Sequence, residues 1–178
     1  MSKNPNQKLK ILYVMKMLLD ETDEAHGLTM PEIIDRLDEI GIKAERKSIY
    51  SDIALLQEYG LDIIVQKSKT TKYCIYSRVF EYPELALLVD AVQSSKYLTK
   101  KKSRILIEKL ESLSSKYEAS LLDKQIHVSG RIKMQNESIY YNVDAIQLAI
   151  SDNRKITFNY YDYDFGKAKV PRKDGGEY

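Results

Sequence analysis

Residues 42–59, Ile-Lys-Ala-Glu-Arg-Lys-Ser-Ile-Tyr-Ser-Asp-Ile-Ala-Leu-Leu-Gln-Glu-Tyr, with Gly60 behind them, constrain this chain more than any other stretch. Wound as a helix from about Glu45, they put Ile49, Ile53 and Leu56 on one face at the i, i+4, i+7 spacing of a core stripe. Arg46, Lys47, Tyr50 and Ser51 fall on another face. The first face packs, and the second is free to meet a partner. Gly60 supplies the stop, because a residue without Cβ takes the left-handed conformation at a helix end at little cost.

The residues upstream sharpen the reading. Thr29-Met30-Pro31-Glu32 has the form of a capping box with proline in the first turn, and Ile33, Ile34, Leu37 and Ile40 give that helix an apolar side before Gly41 ends it. Two short helices joined across residues 41–44, the second carrying exposed cations, form a helix-turn-helix pattern. Before them, residues 6–19 predict a first helix with Leu9, Leu12, Tyr13, Met15, Met17 and Leu18 near helical spacing, and Lys8, Lys10 and Lys16 among them. After them, 62–66 and 72–76 are β-prone runs separated by 67–71, a length and composition suited to a hairpin. Three helices followed by a hairpin with a basic tip is the winged-helix plan. Cys74, inside the second run with no other cysteine or nearby histidine, is read as a packing residue.

The formal net charge is only +2, from 28 basic and 26 acidic residues, so local distribution must carry any statement about partners. Lys43, Arg46, Lys47, Lys67, Lys69 and Lys72 come from the two places, helix start and hairpin tip, that would flank a DNA groove and its phosphates. The helix N-terminus around 45–48, Ser48 included, adds backbone donors for phosphate, while Tyr50 and Ser51 stand where base edges would be met. Asp52 beside this face is expected to bind a backbone donor or a nearby cation. Double-stranded DNA is therefore the expected partner. Two other readings stay open: an ordinary solvated face, and a winged-helix adaptor that binds protein without DNA.

Other classes find less support. With 43% hydrophobic residues the chain can bury a core. A lone cysteine excludes an intramolecular disulfide, and neither a secretion signal nor a run of roughly 20 apolar residues is present, so the expected localisation is cytoplasmic. His26 and His127 are far apart and offer no metal-ligand spacing, so no metal or cofactor is expected. No Gly-rich phosphate loop and no nucleophile with a base appears, and Asp162 and Asp164 read as a solvated turn, so no enzyme is expected.

The chain divides into 1–78, 79–125 and 126–178. In the middle part, Pro83-Glu84 opens a helix with Leu85, Leu88, Val89 and Val92 in a stripe, and Thr99 caps a second. There Leu106, Leu110, Leu113, Tyr117 and Leu121 continue as a near-heptad seam, predicting a helical hairpin whose seam needs a cover. The winged helix, the following segment or a second copy could supply it; a homodimer suits a two-fold DNA site. The run 100–104 reads as a solvated helix start. Residues 125–141 form a polar connection and 144–151 a helix. Residues 155–161 alternate as a strand with Ile156, Phe158 and Tyr160 on one face, 164–166 turn, 167–172 form a short strand and 173–176 turn again.

In this order the chain resembles bacterial transcription regulators with an N-terminal winged helix and a following WYL domain. The resemblance rests on Arg46-Lys47-Ser48-Ile49-Tyr50-Ser51-Asp52-Ile53 with Leu56 and Tyr59-Gly60. It continues through 84–88, 145–150 and 155–161 and covers nearly the whole chain. It implies an α+β fold ending in the start of a small Sm-like β-barrel, cut short at the C-terminus, that binds a nucleotide or nucleic-acid effector. Arg154, Lys155, Tyr161 and Arg172 are the residues it offers for that ligand. The chain departs from the signature in having no Trp, and has Ser51 where members frequently carry Arg.

Overall fold

Thr29 and Glu32 start the second helix as a reciprocal pair. The Thr29 hydroxyl accepts from the Glu32 amide, and the Glu32 carboxylate accepts from the Thr29 amide and hydroxyl, each at 2.7 Å. The computed structural model describes residues 6–126, 133, 138–166 and 168–172 of this α+β chain. Helices α1 (Asn6–Glu21), α2 (Met30–Glu39) and α3 (Arg46–Tyr59) come first, with strands β1 (Leu28–Thr29), β2 (Ile63–Lys67) and β3 (Thr71–Ile75). Helices α4 (Tyr82–Ser94), α5 (Lys100–Glu111) and α6 (Lys116–Ile126) follow, then α7 (Ser138–Ser151) and strands β4 (Tyr161–Tyr163) and β5 (Lys169–Pro171).

The first sheet is antiparallel in the order β1-β3-β2, with Leu28 opposite Tyr73 and Val65 opposite the same Tyr73 from the other side. It closes over α1–α3, and Leu18, Ile33, Leu37, Ile49, Ile53 and Ile75 are among the buried residues between them. Gly41, at φ +76°, ends α2 and lets Ile42 bond back to the Leu37 carbonyl at 2.8 Å. That turn sends Ile42 into the core, while Ile40, expected on the apolar side, is 48% exposed. Gly60, at φ +111°, ends α3 in the same way.

The first helix is rolled from its expected position. Leu9, Leu12 and Tyr13 lie outside, and the buried stripe is Lys10, Val14, Met17 and Leu18. A lysine can occupy that stripe because α3 meets it with polar groups, as described below.

The middle part corrects the expected hairpin. Ser115 and Glu118 cap each other, the hydroxyl accepting from the Glu118 amide at 3.1 Å and the carboxylate from the Ser115 amide at 3.2 Å. This breaks the helix between Glu111 and Lys116, so Leu113, Tyr117 and Leu121 do not continue a seam and are exposed. Instead α4, α5 and α6 pack pairwise around Leu85, Val89, Ile107 and Leu122. Of the expected seam, Leu110 packs against this cluster and Leu106 is half-buried, while Leu113, Tyr117 and Leu121 stay uncovered. Arg104, in the run read as a solvated helix start, bridges α5 to α6 through Asp123 at 3.0 Å.

Polar groups join the bundle to the first core. Asp23 accepts the Ser115 hydroxyl at 2.7 Å with one oxygen and the His26 amide and Nδ1 with the other. The His26 ring stacks on Tyr117 at 3.8 Å, its plane within 11°. Burial pushes the Asp23 carboxyl up, but the bonds from Ser115 and His26 outweigh it and hold it below the ordinary carboxylate value. A group whose pKa is lower folded than unfolded lends stability above its unfolded value, and that stability is lost as pH falls through the native one. Asp23→Asn should therefore lower the thermal midpoint at neutral pH, with the difference shrinking below about pH 4. A difference constant with pH, in melts followed by circular dichroism, would show that the charge is not what matters.

Beyond the bundle, α7 starts at Ser138, earlier than expected, and Asn153, at φ 51°, turns the chain so that Arg154 bonds to the Ala149 carbonyl at 2.8 Å. The strand expected over 155–161 sits later: Tyr161–Tyr163 pairs with Lys169–Pro171, closed by Asp164 accepting from the Ala168 amide at 2.8 Å. Among the described residues neither sheet closes into a barrel. The turn expected at 173–176 lies outside the described residues. No helix among those described is long and apolar enough to cross a membrane.

Candidate nucleic-acid interface

α3 presents Arg46, Lys47, Tyr50 and Ser51 to solvent, with Lys43 exposed just ahead of it. Glu45 begins the helix without a side-chain cap, so the first-turn amides keep their capacity to bind an anion. A depression of about 450 Å³, lined by Lys43, Ala44, Glu45 and Ser48, opens at this end.

Ser48 does not share the outward face. It is half-buried, and its hydroxyl accepts from the Lys10 ammonium of α1, which also makes an ion pair with Asp52 at 2.8 Å. The cation expected beside Asp52 is therefore Lys10. Neither residue reaches outward, and Lys10 was missed as part of the site. The signal available was its place four residues before Val14 on the buried stripe of α1.

Tyr50 leans the other way, toward the sheet. Its ring centre lies 6.4 Å from that of Tyr73, and the Tyr50 and Arg46 side chains are close enough to act on the Tyr73 phenol. Burial first, and Tyr50 second, push that phenol up. Alternation along the hairpin then sorts its cations. Tyr73 is paired with Val65, and Thr71 with Lys67, so Lys67 continues the row that Arg46 and Tyr50 approach. Lys69 stands exposed in the tip, where Ser68 and Thr70 close a loop shorter than the 67–71 expected. Lys72 belongs to the opposite face. It is half-buried near Glu32, and a Cβ on Gly27 would come within 2.9 Å of its own Cβ. The hairpin is braced from below by Gln66, which donates to the Glu24 carbonyl at 2.8 Å.

Arg46, Tyr50 and Lys67 thus fall on one side, Lys43, Lys47, Ser51 and Lys69 are exposed, and Ser48 and Lys72 are set apart. Cys74 is buried in β3, as read, and burial pushes its thiol up.

The four residues offered for an effector are partly engaged. Arg154 pairs with Asp152 at 3.5 Å; Arg172 pairs with Asp162 at 3.4 Å and lies over the Tyr160 ring at 5.0 Å. Lys155 and Tyr161 are exposed. Among the described residues, no three His, Cys, Asp or Glu side chains gather as they would around a metal ion. Comparison with protein-family models, curated proteins and solved structures returns no match for this chain.

Proposed function

We propose that this chain is a sequence-specific DNA-binding transcription regulator whose first 78 residues form a winged helix. α3 enters the major groove, the hairpin β2–β3 rests on flanking phosphates, and two copies read a two-fold site. The observation that carries the reading is the row Arg46–Tyr50–Tyr73–Val65–Lys67, which puts the helix start and the hairpin tip on one side of the molecule. Arg46 and Ser51 are the base-reading groups, and Lys47, Lys67 and Lys69 the phosphate groups. The resemblance to WYL regulators extends the proposal to a nucleotide or nucleic-acid effector at Arg154, Lys155, Tyr161 and Arg172.

Fluorescence anisotropy tests it, using a duplex selected by the chain from a random-sequence pool and a scrambled version of that duplex. Arg46→Ala should weaken the selected duplex by about 1–3 kcal/mol and the scrambled one much less. Lys69→Ala should weaken both alike and reduce the slope of log K against log salt by about 1. Equal losses on both duplexes for Arg46→Ala would remove its reading role. No binding to either at low salt would leave the protein-adaptor reading instead.

A further inference from the structure

We infer that Lys10 is a positioning residue for the DNA-reading helix: its buried clamp on Ser48 and Asp52 sets the roll of α3 and thereby sequence discrimination, more than affinity or stability. The inference rests on the DNA reading above. Lys10 is 3% exposed and Asp52 13%, so the contact is shielded from the solvent that screens surface pairs. Ser48 and Asp52 stand one turn apart on the same side of α3, so a single ammonium from α1 holds two successive turns.

The other groups between these helices include Val14, Ile49 and Ile53. Apolar contact is non-directional and tolerates a small roll; the Lys10–Ser48 hydrogen bond has a preferred direction, and the Lys10–Asp52 ion pair adds an attraction that depends on distance. Replacing a buried ion pair by apolar groups of similar volume is often neutral or stabilising, so stability does not require this one. Discrimination does require a fixed roll. Lys47 and Ser51 directly precede the two clamped residues, and Arg46 and Tyr50 lie one position further back. A roll of about 15° carries a side-chain tip ~6 Å from the helix axis by roughly 1.5 Å. Organised sites hold to about 0.5 Å.

The test is the double variant K10M/D52L, compared with wild type on the selected and scrambled duplexes. Its thermal midpoint should equal or exceed that of wild type, with scrambled-duplex affinity and salt slope unchanged. The ratio of selected to scrambled affinity should fall about tenfold, the scale of one mismatched base pair. An unchanged ratio overturns the inference. If K10M/D52L does not fold, K10M/D52N, which keeps both shapes, reads the same ratio with the same two outcomes. A wild-type chain that treats both duplexes alike overturns the DNA reading itself, and is recognised before any variant is made.

Discussion

Arg78→Met is expected to lower the free energy of unfolding by about 3 kcal/mol, because the guanidinium closes the end of α1. It donates to the Leu19 carbonyl at 2.7 Å and to the Thr22 carbonyl at 2.5 Å, in the last turn of α1 and just beyond, where carbonyls have no partner within the helix. The side chain is 9% exposed, so water cannot easily replace those donors. Its other edge faces Glu118 of α6 at 3.8 Å. Burial pulls the Arg78 pKa down, against the pull of Glu118, Asp23 and Asp20. Methionine fills much of the space, so the loss measured is that of the donors and the charge. Arg78→Lys should recover only part of it, since one ammonium replaces a planar fork that reaches both carbonyls and the carboxylate. Urea unfolding decides: a change within about 0.5 kcal/mol for Arg78→Met, the scale of ordinary surface substitutions, would mean that the carbonyls find other partners.

What the sequence made legible was what is set locally. The Thr29–Glu32 cap, the stripe Ile49–Ile53–Leu56 and the stop at Gly60 each depend on residues within a few positions, and each is found where the spacing placed it. Ser115–Glu118 is as local a signal, but the leucines run across it at threes and fours, so their spacing predicts a seam where the helix breaks. Partner-dependent features were not legible. β1 is two residues long and a strand only because Leu28 and Thr29 lie against Tyr73 and Lys72. Lys10 is buried only because α3 supplies an acid and a hydroxyl. Ile156, Phe158 and Tyr160 alternate as a strand should, yet the strand that pairs with Lys169–Pro171 is Tyr161–Tyr163, where the Asp164 turn brings the two alongside. The same limit held at the candidate interface. The cations were visible in the sequence, but the face each one occupies follows from strand register, and that separates Lys72 from Lys67.

Leu122→Ala should be the most damaging single truncation in the middle of the chain, at about 2–5 kcal/mol. Leu122 is fully buried, and among the described residues its cluster of buried side chains holds Leu85, Val89 and Ile107 besides, edged by partly buried groups such as Phe80 and Leu110, so the cavity opens in a small core. The first core contains more than three times as many buried residues and is crossed by a sheet. The bundle α4–α6 should therefore lose protection first. Hydrogen exchange of the variant should show fast amides in α4, α5 and α6 while α2, α3 and the hairpin β2–β3 keep wild-type protection. That result would place a folding boundary near residue 79, between the groups proposed to meet DNA and the rest. Equal loss of protection in both parts would mean that the junction from Asp23 to Ser115 and from Arg78 to Glu118 makes one cooperative unit. A change in the bundle would then reach the hairpin through Arg78, which lies three residues beyond the end of β3.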